Sequence, residues 1–124
     1  MYGVLAFVAS VLALSPAPAA EKGPYQTYPN VEGELIFEND LIVVQKFVFQ
    51  PGVWEGVHSH PGNQLFVHIR GGEWTVRRGA KKETTVYEDG SVGWWPAIDL
   101  SEDHESGNTG KTPIELVWVT LKKK

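Results

Sequence analysis

The chain contains no cysteine, and that one absence removes disulfides, thiolate metal sites and a cysteine nucleophile together. It leaves the compartment open, because exported proteins need not use disulfides. Basic residues are also few: 11 Lys and Arg stand against 15 Asp and Glu, for a formal net charge of −4 at pH 7. No segment carries a basic stripe, which argues against nucleic acid as a partner. The single basic run, Lys122 to Lys124, reads as a solvated end. Helical periodicity is missing after the first twenty residues, and there is no internal repeat. What remains is a globular composition, 42% hydrophobic and 21% charged, in 124 residues, enough for one domain around one core.

The first twenty residues stand apart. Tyr2 to Leu14 is almost wholly apolar, and Ser15-Pro16-Ala17-Pro18-Ala19-Ala20 follows before the first charge, Glu21. A run of that length ending in Ala17-Pro18-Ala19 has the form of a secretory signal peptide with a small-residue cleavage site, and it is short for a membrane-spanning helix. No Lys or Arg precedes the run, so an uncleaved interfacial helix is the alternative. The expectation is export, periplasmic or secreted, with cleavage near Ala19 or Ala20 and no membrane span afterwards. Residues 1–20 are then the leader and residues 21–33, with two prolines and two tyrosines, an N-terminal arm. Residues 34–124 form the domain.

Within the domain the pattern is short and β-like. Glu34 to Phe37, Leu41 to Phe49, Val57 to His60, Gln64 to Arg70 and Glu73 to Arg78 read as strands. So do Thr84 to Tyr87, Ser91 to Trp95, Asp103 to Asn108 and Ile114 to Leu121. Turn residues separate them at Pro51-Gly52, Pro61-Gly62-Asn63, Gly79, Asp89-Gly90 and Gly107 to Gly110. Many short strands at such spacings predict an all-β sandwich or small barrel.

One stretch, Gly52 to Gly71, concentrates the chemistry. Two of the four histidines, His58 and His60, lie two apart in it, and Gln64 follows. In an extended chain, i and i+2 share a face at roughly 7 Å. Two imidazoles so placed can converge on one metal ion, whose nitrogens sit at about 2.1 Å. Two surface histidines near a turn are the plain alternative. Downstream, five residues separate Gly90 from Pro96, and three separate His104 from Asn108.

These two stretches resemble the paired motifs of the cupin superfamily. The first follows G-x5-H-x-H-x3-E-x6-G at Gly52, His58, His60 and Gly71, with Gln64 where the family usually has Glu. The second is similar to G-x5-P-x-G-x2-H-x3-N at Gly90, Pro96, His104 and Asn108. The glycine after Pro96 is absent, and the approach to His104 is three residues longer than the pattern, so a bulge or short loop must absorb them.

The resemblance implies a cupin-type jelly-roll β-barrel holding one divalent metal ion on His58, His60, His104 and Gln64. Three imidazoles without thiolates suit Fe, Mn, Ni, Cu or Zn and leave coordination positions open. With neutral ligands the ion keeps its double charge, so the expected partner is a small anionic ligand or substrate. Oxygenase-like and isomerase-like enzymes fit that description. A non-enzymatic barrel that binds a sugar acid or metabolite also fits, as does an assembly domain that forms a homodimer.

Other residues carry weaker expectations. His68 and Arg70 share the parity of Gln64, so both can point inward: Arg70 to clamp an anion, His68 to move protons. Their structural alternatives are a buried core histidine and a solvated strand-end arginine. Five tryptophans offer either an aromatic wall or packing, and Trp94 and Trp95 must face opposite sides of their strand. Glu55, Asp103 and Glu105 lie near the ligands in sequence, where they can support the histidines or serve as acid/base groups; the plainer reading is rim charges.

Overall fold

The computed structural model describes residues 25–122. The leader, its cleavage site and the start of the arm therefore lie outside the described residues, as do the last two lysines.

Alternation in the sequence becomes alternation of burial. In β2, Ile42–Phe49, the side chains of Val43, Gln45, Phe47 and Phe49 are buried while their neighbours are not. The same holds in β8, Ile114–Leu121, where Ile114, Leu116, Trp118 and Thr120 face inward. These two strands pair antiparallel over their full length. Around them lie β1 (Glu34–Glu38), β3 (Gln64–Arg70) and β6 (Val92–Trp95), giving a five-stranded sheet in the order β1-β2-β8-β3-β6. The second sheet, β5-β4-β7, uses β4 (Gly72–Arg78), β5 (Lys81–Tyr87) and β7 (His104–Asn108). The expectation of an all-β barrel of short strands is met.

The core lies between the sheets. Phe47, Phe49, Phe66, Trp74, Leu116 and Trp118 form most of it. Phe49 and Trp74 meet edge to face at 4.9 Å, the arrangement that opposes a positive ring edge to a negative face. The arm contributes too. Tyr28 is buried against Phe47 at 4.9 Å. Gln26 exchanges two hydrogen bonds with the side chain of Gln45: its N–H donates to Oε1 at 2.7 Å, and its carbonyl accepts from Nε2 at 3.0 Å. That pairing lays the arm across β2 and carries Tyr28 to the histidines described below.

Trp94 is exposed and Trp95 half-buried against Phe66 and Trp118, as opposite-facing neighbours must be. Gly71 is required where β3 passes to β4, because a Cβ there would lie 2.0 Å from the Tyr87 carbonyl oxygen. One strand expectation fails. Val57 to His60 forms no ladder; its ties are one antiparallel bridge, His60 with Ile98, and a single backbone bond from His58 to His104.

Candidate metal centre

Residues 53–60 run along the free edge of β7. Trp54 bridges Gly107, the Glu55 N–H donates to the Ser106 carbonyl at 2.8 Å, and the His58 N–H donates to the His104 carbonyl at 3.2 Å. His60 exchanges both backbone bonds with Ile98, at 3.1 and 2.9 Å. Within this segment Val57 and Ser59 are exposed while His58 and His60 are buried, so the two-residue spacing acts as it would in a strand. The backbone bond from His58 to His104 brings the third imidazole to the same place.

The three histidines converge. One ring nitrogen from each lies within 4.8 Å of the others, and the side chains are 5%, 5% and 1% exposed. It is the one such group of His, Asp or Glu among the described residues. His58 Nδ1 lies 2.9 Å from the Gly56 carbonyl, so it carries the proton and leaves Nε2 with a free lone pair. Nδ1 of His60 and Nδ1 of His104 are buried with no hydrogen-bond partner. Burial, and then the neighbouring His58, hold His60 down to about 4; burial, then His58 and His60, do the same for His104. His58 is lowered as well, mainly by burial. At neutral pH the cluster is three neutral imidazoles with unshared lone pairs, which fits a divalent ion of the borderline metals.

The approach to His104 absorbs its three additional residues in a 3-10 turn, Leu100–Glu102. Asp99 caps it, accepting from the Ser101 N–H at 2.9 Å, and Glu102 returns a bond to the Asp99 N–H. Asp103 closes the turn in the left-handed region at φ 48, a conformation Asp tolerates. Asn108, at the end of the second motif, is wholly buried and ties strands together: its Nδ2 donates to the carbonyls of Phe49 and Thr112, each at 2.8 Å.

Gln64 is 1% exposed on the inner face of β3. Its Nε2 donates to Gln26 Oε1 at 3.1 Å and to Thr120 Oγ1 at 2.9 Å, and its Oε1 is buried without a partner. His68 is also inside, 2% exposed, stacked on Tyr87 at 4.3 Å and outside the three-histidine group. Both of its ring nitrogens lack partners, and burial lowers it to about 4.

Arg70 departs from the shared-face expectation. The register of β3 against β8 shifts between His68 and Arg70, which sets Arg70 across from Glu115 on the outer face, and it is exposed. A bulge there reverses the parity.

For Glu55 the rim-charge reading fails and the reading beside the ligands holds. Rather than a rim charge it is 2% exposed, accepts from the Ser106 N–H at 3.1 Å and lies 3.7 Å from His58 Nε2. The cause is Gly56, at φ +83. That left-handed residue breaks the alternation, so Glu55 and His58 turn inward together despite their odd spacing. Burial pushes the Glu55 carboxyl up to about 8. A glycine between a carboxylate and the histidine pair was the available signal. Asp103 stays exposed, and Glu105 pairs with Arg77.

No family model matches the chain, and no curated protein sequence matches it. Solved structures do. A cupin domain from Bordetella pertussis Tohama I superposes with a TM-score of 0.65 at 19% identity, covering 80% of this chain and 100% of that one. A cupin superfamily protein from Desulfitobacterium hafniense DCB-2 gives 0.54 at 17% identity, covering 90% and 100%. A cupin 2 conserved barrel domain protein from Salinispora arenicola CNS-205 gives 0.54 at 15% identity, covering 87% and 88%. Likeness at these identities speaks to architecture. The chain has the cupin fold, and its barrel encloses a buried three-histidine cluster able to hold a metal ion.

Proposed function

We propose that the protein is an exported, metal-dependent enzyme of the cupin fold that acts on a small anionic molecule, by oxygenase-like or isomerase-like chemistry. The observation that carries this reading is the convergence of His58, His60 and His104 as buried, neutral imidazoles with one ring nitrogen of each within 4.8 Å of the others. A core histidine usually satisfies its buried nitrogens; here Nδ1 of His60 and Nδ1 of His104 are buried without partners, beside a His58 whose Nδ1 is held by the Gly56 carbonyl. A divalent ion of Fe, Mn, Ni, Cu or Zn would meet only neutral protein ligands and would supply Lewis acidity toward an anionic oxygen.

The chain's own residues do the rest. The Gly56 carbonyl fixes the His58 tautomer and ring orientation. Gln26 and Thr120 hold the amide nitrogen of Gln64 and leave its buried oxygen unpartnered, so that oxygen would be available as a fourth ligand. Glu55 holds a proton near neutral pH within 3.7 Å of His58, where a proton donor or acceptor is of use.

The test is elemental analysis of protein purified without chelator or metal-binding tag, followed by a turnover panel of small carboxylic acids with and without oxygen. Close to one equivalent of metal is expected. His58→Ala should lose it, and Gln64→Ala should weaken binding less. Full occupancy in both variants would refute the ligand set. No uptake after reconstitution would favour a ligand-binding barrel without catalysis.

A further inference from the structure

The two sheets do not close on each other everywhere. Residues of β4, β5 and β6 line a half-open cleft of about 690 Å³, within the range of small-molecule sites. Its walls are chemically divided. The pairing of β4 with β5 sets Arg78 across from Lys81 and Val76 across from Glu83. On its other side Arg78 stands across from His104 of β7. The cationic end of the cleft is thus one strand away from a metal-centre histidine.

The aromatic part is Tyr87 and Trp95. Trp95 also approaches the His60 ring, at 6.1 Å, so this wall too reaches the metal centre. Arg78 is only loosely engaged: Glu102 lies 3.6 Å away, with both side chains more than a third exposed. Such a pair contributes little, and a ligand carboxylate that bonds the guanidinium through two oxygens would displace it. Glu83 also lines the cleft and opposes a second carboxylate there.

We infer that this cleft is the substrate site of the metal centre proposed above, and that it takes a small monocarboxylate bearing a planar unsaturated or aromatic group. The carboxylate lies on Arg78 and Lys81, and the planar group packs against Trp95 and Tyr87. The inference rests on the metal-centre reading for its catalytic meaning and on the cleft alone for its ligand class.

Three probes separate the two zones by calorimetric titration of the metal-loaded protein: cinnamate, its neutral amide cinnamamide, and crotonate, which has the carboxylate but no ring. Cinnamate should bind at least about tenfold tighter than either. Arg78→Ala should remove about tenfold of cinnamate affinity, with Arg78→Lys between the two, because a lysine keeps the charge and loses the planar fork. Arg78 and Lys81 are exposed, so these variants and Lys81→Ala leave the core untouched. Cinnamate and cinnamamide binding alike, no binding of any probe, or an Arg78→Ala variant at full affinity would overturn the inference. If that happened with metal content unchanged, the metal centre would stand and the cleft assignment would fall. Arg78-dependent binding of cinnamate to a protein that takes up no metal would remove the metal centre and keep the ligand class.

Discussion

His68 makes a sharp quantitative test of how this barrel is built. Its ring is 2% exposed, its two nitrogens have no partners, and burial alone holds it from 6.5 down to about 4. A folded value below the unfolded one means that the unfolded chain takes up a proton that the folded chain refuses. The associated stability is therefore full above about 6.5 and is lost as pH falls toward 4. Between about pH 7.5 and about pH 5 the two titrations differ by about 2 kcal/mol. His68→Phe keeps a ring to stack on Tyr87 and removes the titration. At the higher pH the relief of two unpartnered nitrogens, about 1–3 kcal/mol, is offset by overpacking of similar size, so the net change is small. The diagnostic quantity is the slope. Urea unfolding of both proteins in the same metal state should show the variant losing about 2 kcal/mol less over that interval. Equal losses would refute the placement of His68 as a buried neutral ring.

Other perturbations test neighbouring parts of the structure. Asn108→Ala removes the donors to the Phe49 and Thr112 carbonyls and should cost about 3 kcal/mol in urea unfolding. Gly71→Ala drives a Cβ into the Tyr87 carbonyl and the Glu88 backbone, neither of which can rotate away, so it should cost about 3 kcal/mol or more and lower soluble yield. Glu55→Gln keeps an acceptor for the Ser106 N–H and removes a carboxyl raised from 4.5 to about 8. The folded chain holds that proton after the unfolded chain has released it, so wild-type stability is full below 4.5 and falls as pH rises toward 8. In chelator-treated protein the variant should therefore gain on the wild type steadily across that range, as read from unfolding midpoints.

The sequence by itself determined that the described domain is built of short strands, because apolar alternation with turn residues between leaves no helical period to bury. It also determined that His58 and His60 share a face, since that depends on a spacing of two and an extended backbone rather than on any partner strand. The resemblance to cupins rested on the same local spacings and ran from Gly52 to Asn108. What depended on tertiary contact lay beyond such spacings. Gly56 adopts its left-handed conformation where residues 53–60 lie along β7, and that turn sends Glu55 inward beside His58. The register shift that carries Arg70 outward belongs to the pairing of β3 with β8, some 45 residues away, not to the local alternation. The cleft with Arg78 at one end and Trp95 beside it forms from three strands that are distant or only hairpin-linked in sequence. Local spacing decides which faces a strand presents. Only the register between strands decides which of those faces meet.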